Sequence, residues 1–297
     1  MNNRSYGSPV AFRTALTARL KTMATNSRWT LTQLQRQFAY DRLLERLYLT
    51  DQDWIVKGAT ALLARDIGVR GSLDIDIYRQ AGHEQAESDL RAAAATDIGD
   101  WFRFELGNSQ VMDNATRGAR IPVSAYVGAT QWAKFQIDLV GADVKMTGVP
   151  EDVPSLARVV MPDVQQHGYR AYPLVDHIAD KIAAIFQRYG PTRTPSTRYR
   201  DLVDLVAITT SASVAADAQM AALGSELQRR DLRTPSQFDV PSRDLWERGY
   251  SAAATNSLLP IALTLDEALD VVRPFAEPLF NGTAGGTWDL VARAWID

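Results

Sequence analysis

The sequence predicts an α+β protein: a helical N-terminal arm, a small mixed sheet with helices near 51–170, and a helical C-terminal part. Three observations predict it. Residues 11–49 repeat apolar side chains at helical spacing, 72–78 alternate polar and apolar with the period of a strand, and from Leu174 the helical period takes over again. With 46% apolar and 23% charged residues the chain falls among folded globular proteins, not disordered ones.

In the arm, Leu31, Leu34, Phe38, Leu43, Leu44 and Leu47 form one buried stripe of a helix, which Asp51 and Asp53 end. Trp54-Ile55-Val56 reads as a short buried strand running into Lys57-Gly58 and a small helix around 59–65. Next comes the strand 72–78, a helix over 86–95, and strands at 101–106, 121–127 and 134–140. Helices follow at 174–189, 197–209, 213–230, 265–279 and 287–296, with 190–197 a loop by its Gly and Pro content. The expected division is an arm at 1–50, a core at 51–170, and a helical part at 171–297 that closes a cleft.

Composition excludes several chemistries. There is no cysteine, so disulfides, thiolate zinc sites and cysteine nucleophiles are out. Only His83, His167 and His177 are present, so a metal would sit on carboxylates, which favours Mg²⁺ or Mn²⁺. No apolar run reaches the roughly 18 residues of a membrane span. No secretory signal core follows the first charges, and a cytoplasmic protein is expected.

The net charge is −3, unevenly spread. Residues 1–40 carry Arg4, Arg13, Arg19, Lys21, Arg28 and Arg36 with no acid, and 181–200 carry Lys181, Arg188, Arg193, Arg198 and Arg200 with none, so +6 and +5 leave −14 for the rest. Two basic zones on an acidic body suit a phosphate-rich partner such as RNA. An organelle transit peptide or a solvated helix face would give the first zone the same composition.

The chemistry concentrates on Leu73-Asp74-Ile75-Asp76-Ile77. Alternation puts Asp74 and Asp76 on one face and the apolar residues, Leu73 included, toward the core. Two carboxylates about 7 Å apart repel unless a cation sits between them. Phe135-Gln136-Ile137-Asp138-Leu139 offers the third carboxylate that two-metal phosphoryl transfer uses. Glycosyltransferases hold a nucleotide-sugar metal with the same Asp-x-Asp, and many such pairs are solvated strand faces. Upstream, Val56-Lys57-Gly58-Ala59-Thr60 joins a strand to a helix, where backbone N–H groups can meet phosphate oxygens. Ser72 could add a hydroxyl there.

Strand, Lys-Gly, small helix and Ser-x-Asp-x-Asp in this order resemble the opening of the DNA-polymerase-β-type nucleotidyltransferase fold. Lys57-Gly58-Ala59-Thr60-Ala61-Leu62 with Arg65 is similar to the AbiEii/AbiGii-type toxin family, which includes the mycobacterial MenT toxins of toxin–antitoxin pairs. The helix 41–47, the Ala-x-Lys helix around Ala179-Asp180-Lys181, Arg200-Asp201-Leu202-Val203-Asp204-Leu205, and the late Trp246, Tyr250, Trp288 and Trp295 extend the similarity from about residue 40 to the end. The chain departs from the family's Lys-Gly-Gly turn at Ala59.

The resemblance implies a toxin that transfers nucleotides from an NTP to the 3′ end of tRNA, blocking aminoacylation and translation. It implies Lys57, Gly58, Thr60, Arg65, Ser72 and Lys181 at the nucleotide, and Asp74, Asp76 and Asp138 on Mg²⁺ or Mn²⁺. Lys181 would neutralise charge on the departing pyrophosphate; a lysine beside an apolar stripe also simply snorkels to water. Asp201 and Asp204, three apart on one helix, could hold Lys181 or the nucleotide, or pair with nearby arginines. Arg65 and Arg70 are candidate phosphate contacts, and His177 a packed or a functional histidine. Phosphorylation of Ser72 would place roughly −1.5 to −2 charges beside Asp74 and Asp76, an off-switch through which an antitoxin kinase could act. The competing readings are transfer to a small-molecule or protein acceptor, and a catalytically silent nucleotide-binding module.

Overall fold

A computed structural model describes residues 5–112, 118–141 and 144–297. The chain divides into two compact units. One holds the residues up to Arg65 with 71–145 and 151–171, and the other holds 66–70, 146–150 and 172–297. Among the described residues no helix is long and apolar enough to cross a membrane.

The first unit opens with α1 (Pro9–Thr25) and α2 (Leu31–Thr50). The helical stretch expected over 11–49 consists of two helices. The break falls at 26–30 because Thr30 starts a new helix with a capping box, its hydroxyl accepting from Gln33 N while Gln33 accepts from Thr30 N. Leu34, Phe38, Leu43, Leu44 and Leu47 are buried as the stripe requires.

Polar residues of α2 are buried too, each with a partner. Asp41 accepts from Leu156 N and Ala157 N, and burial raises its carboxyl to about 7. Arg42 and Arg46 both hold Asp100 (2.6 and 2.7 Å), and Glu45 pairs with His167. The charges of the 41–47 motif thus pin the loops around Asp100 and 156–167, since a buried ion is tolerated only when paired and hydrogen-bonded.

The sheet follows: β1 (Trp54–Lys57), α3 (Gly58–Ala64), β2 (Asp74–Arg79), α4 (His83–Ala94), β3 (Phe102–Leu106), β4 (Gln110–Met112), β5 (Gly118–Val127), β6 (Thr130–Val140), β7 (Glu151–Val153) and β8 (Tyr169–Ala171). Strand order is β3-β5-β6-β2-β1-β8-β7, with β4 also on β5. The sheet is mixed: β2 runs parallel to β6 and β1 to β8, and the other pairs are antiparallel. Its core-facing residues, Val56, Ile75, Ile77, Ile121, Ile137 and Leu139, share one cluster with Phe12, Leu16 and Phe38 of the two helices. Leu73 does not join them. It is 64% exposed, because the ladder begins one residue later at Asp74.

The second unit contains α5 (Leu174–Phe186), β9 (Arg188–Tyr189), β10 (Thr194–Pro195), α6 (Tyr199–Thr209), α7 (Ala216–Arg229), α8 (Arg243–Thr255), α9 (Leu265–Phe280), β11 (Thr287–Asp289) and β12 (Ala294–Ile296). Three expectations change here. The helix from 174 stops at Phe186, where Gln187 turns extended, and 188–195 form a short hairpin with Gly190 and Arg193 at positive φ. The helix α8 was not expected. Gly249 obscures its pattern, and it is glycine because a β-carbon would lie 2.2 Å from the Tyr199 ring packed against it.

The expected helix at 287–296 is a hairpin. Asp289 accepts from Val291 N and Ala292 N in a side-chain turn, and Trp288 faces Trp295 across the strands. Their indoles donate to Thr209 O and Phe275 O, which satisfies both rings as they pack on Phe275. Cross-strand aromatic pairing outweighs the helical spacing of the apolar residues.

Candidate active site

Register places the expected carboxylates together. Asp76 stands opposite Asp138 across β2 and β6, and opposite Lys57 across β1 and β2, while Asp138 stands opposite Arg120 across β6 and β5. Residues opposite one another in a ladder share a face. Four adjacent strands therefore carry the row Lys57, Asp76, Asp138, Arg120, a cation at each end of two carboxylates. Asp74 lies two residues before Asp76 on the same face, in register with Gln136.

Arg120 is the residue the sequence did not reveal. Its Nε and a terminal nitrogen donate to the two oxygens of Asp138 at 2.8 and 2.7 Å. Asp138, first by hydrogen bonding, and then the charges of Asp74 and Asp76 hold the guanidinium above its ordinary pKa against the opposing effect of burial.

Gly58 explains the Lys-Gly turn. It sits at φ +59, the left-handed region, and an added β-carbon would lie 1.8 Å from Asp76 Oδ2. Only glycine lets the turn close over that carboxylate. Ala59 is 5% exposed, so its methyl group packs inward. Thr60 is fully buried with its hydroxyl donating to Asp74 O, which ties α3 to β2. Arg65 pairs with Glu151. Ser72 Oγ donates to Asp74 O and accepts from Asp74 N, while Ser72 O accepts from Tyr40 and Arg36.

A divalent cation suits this donor set in part. Asp74 and Asp76 share a face, and both are hard oxygen donors of the kind Mg²⁺ and Mn²⁺ prefer. Asp138 adjoins them but gives both oxygens to Arg120. Among the described residues no three acidic or histidine side chains converge as a ready cage.

The other expected residues belong to the second unit. Lys181 Nζ, buried on α5, donates to Asp201 Oδ1 at 3.0 Å and Asp204 Oδ2 at 2.7 Å on α6. Sequence left open which aspartate meets Lys181; both do. Arg70 forks onto Asp204 at 2.9 and 2.8 Å, and Arg198 pairs with Asp201. The result is a chain of alternating charge, Arg70, Asp204, Lys181, Asp201, Arg198. Burial opposes both carboxylates, but Lys181 and the arginines hold them below the usual carboxylate range. Burial likewise opposes the ammonium, and Asp204 with Asp201 holds it above its ordinary value. His177 is buried with its ring edge-on to Tyr172.

Of the basic zones, Arg188, Arg193 and Arg200 are exposed, whereas Lys181 is buried. In the first zone Arg19 donates to Val160 O, Arg36 to Ser72 O, and Arg28 stacks on Trp29; Arg13 and Lys21 are exposed, and Arg4 lies outside the described residues.

The family model described as nucleotidyl transferase AbiEii toxin, type IV TA system, matches residues 42–271. Among solved structures the chain is similar to JHP933 from Helicobacter pylori, at 16% identity and TM-score 0.49 over 84% of this chain and 93% of that one. It is also similar to MenT4, a nucleotidyltransferase toxin from Mycobacterium tuberculosis H37Rv, at 16% identity and TM-score 0.49 over 91% and 98% of the two chains. None of the curated proteins compared matches it. With most of its length covered by the family model, the chain belongs to the AbiEii family of nucleotidyltransferase toxins of type IV toxin–antitoxin systems.

Proposed function

We propose that this nucleotidyltransferase adds nucleotides from an NTP to the 3′ end of tRNA in the cytoplasm, in a reaction that depends on Mg²⁺ or Mn²⁺. The observation that carries the reading is the register that sets Asp74, Asp76 and Asp138 side by side on one sheet face. A divalent cation held there would supply Lewis acidity to the acceptor hydroxyl and the triphosphate. Asp74 and Asp76 would hold it, with Gly58 leaving the space that the Asp76 carboxylate occupies. In the reaction the 3′-oxygen forms a bond to the α-phosphorus, the bond from that phosphorus to the bridging oxygen breaks, pyrophosphate leaves, and the hydroxyl proton passes to water. Two of the ammonium N–H groups of Lys181 go to Asp201 and Asp204.

Support for RNA as acceptor comes from the exposed Arg188, Arg193 and Arg200, since a small acceptor needs no extended basic surface. The family brings an antitoxin partner. Ser72 is the point where a kinase antitoxin would act: a phosphoryl group there removes the proton that Ser72 Oγ donates to Asp74 O and sets negative charge beside the carboxylates.

The test is incubation with total tRNA and each labelled NTP in turn. Label should enter tRNA, and periodate oxidation of the terminal ribose beforehand should abolish it. Label in a small molecule or a protein, or labelling indifferent to periodate, refutes the tRNA assignment.

A further inference from the structure

We infer that Arg120 is a positioning residue that acts as the internal counter-cation of the carboxylate row and must release Asp138 before all three carboxylates can serve a divalent cation. The inference rests on reading Asp74, Asp76 and Asp138 as the ligands of that cation.

Its basis is geometric. Asp76 and Asp138 are cross-strand neighbours, an arrangement in which like charges directly opposite destabilise a sheet. Arg120 occupies the next register position and meets Asp138 with a two-pronged fork, one nitrogen to each oxygen. Such a fork fixes the carboxylate plane as well as its charge. While it stays, neither oxygen of Asp138 can turn freely toward Asp76, and a second positive centre at Asp138 would be repelled by the guanidinium. The Arg120 side chain is 41% exposed, so it has room to swing into solvent, whereas the Asp138 side chain is 13% exposed and stays in the sheet. The arginine is therefore the partner that moves. A resting protein carries Asp138 neutralised by Arg120, and loading exchanges one cation for another.

The experiment measures Mn²⁺ binding to the full-length protein by electron paramagnetic resonance, without nucleotide or RNA. Arg120→Gln removes the competing charge and should bind Mn²⁺ about tenfold more tightly than the unsubstituted protein, the factor that ~1.4 kcal/mol represents. Arg120→Lys keeps the charge but not the fork and should fall between the two; it carries the test if Arg120→Gln does not fold. Asp76→Asn should lose the binding. Unchanged or weaker binding in both arginine variants, with Asp76→Asn still abolishing it, overturns the role of Arg120 and leaves the metal reading standing. Absence of binding in the unsubstituted protein and all variants overturns the metal reading, and this inference with it.

Discussion

Replacing Asp204 by alanine should destabilise the second unit more than replacing Asp201, although both carboxylates meet the same ammonium. Asp204 is 1% exposed and serves two cations, Lys181 and the forked Arg70. Its loss takes the shorter of the two bonds of Lys181, which keeps Asp201, together with both prongs of the Arg70 fork, and breaking a buried ion pair costs about 3–5 kcal/mol. Asp201 is buried as well, but its second partner, Arg198, is 57% exposed and keeps its hydration when the carboxylate goes. The exposed pair is worth ~0–1 kcal/mol. Lys181 retains Asp204, so the main loss is one charged hydrogen bond of about 1.5–3 kcal/mol. Asp204→Ala should therefore exceed Asp201→Ala by about 2 kcal/mol.

Urea unfolding followed by tryptophan fluorescence and circular dichroism measures the difference. It should persist over the neutral range. The depressed carboxylates contribute stability above their unfolded pKa and lose it as pH falls through the folded value; the raised Lys181 contributes below its unfolded pKa and loses it at strongly alkaline pH. Equal costs or the reverse order would refute the ranking, and both below ~1 kcal/mol would show that the charge chain does not hold the unit together. Lys181→Ala takes the shared cation from both carboxylates, leaving Asp204 to Arg70 and Asp201 to Arg198, and should destabilise the unit as well.

Gly58→Ala should abolish nucleotide transfer and cost about 1–2 kcal/mol, because it combines a left-handed backbone with a carbon in the place of the Asp76 carboxylate; activity near that of the unsubstituted protein would remove the argument for this glycine. Arg188→Ala, Arg193→Ala and Arg200→Ala together should flatten the salt dependence of tRNA binding by roughly one log–log unit for each arginine that meets a phosphate, with NTP affinity unchanged. Arg198 is left out of that set because it pairs with Asp201. Asp41, raised to about 7 by burial, contributes stability that is fully present below its unfolded pKa and is lost as pH rises through 7. Stability measured between pH 5 and 8 should decline less steeply in Asp41→Asn, and an unaltered slope would show that Asp41 does not titrate there.

Much of the fold and the carboxylate face was legible because local period determines both. A strand repeats every two residues, so Asp74 and Asp76 had to share a face, and an acid alone in the apolar strand at 135–139 had to project from it. Helical spacing put Asp201 and Asp204 on one face, but only packing shows that both meet Lys181. Arg120 was hidden because its role depends on strand register, which pairs it with a residue eighteen positions away. Gly249 and the Trp288–Trp295 hairpin misled for a related reason, since a tertiary contact with Tyr199 in one case and with Phe275 in the other overrides local propensity. The arginines of the basic zones show the limit of charge counting. Arg19, Arg36 and Arg198 are engaged by the protein itself, so net charge overstates the surface available to RNA.

The most direct test of the central claim is label transfer from NTP to tRNA by Asp76→Ala, compared with the unsubstituted protein at equal concentration and with matched circular dichroism. Robust 3′ labelling that EDTA abolishes is expected in the unsubstituted protein, and no labelling by the folded variant. Transfer by folded Asp76→Ala at the unsubstituted rate, or transfer indifferent to EDTA, would contradict that claim.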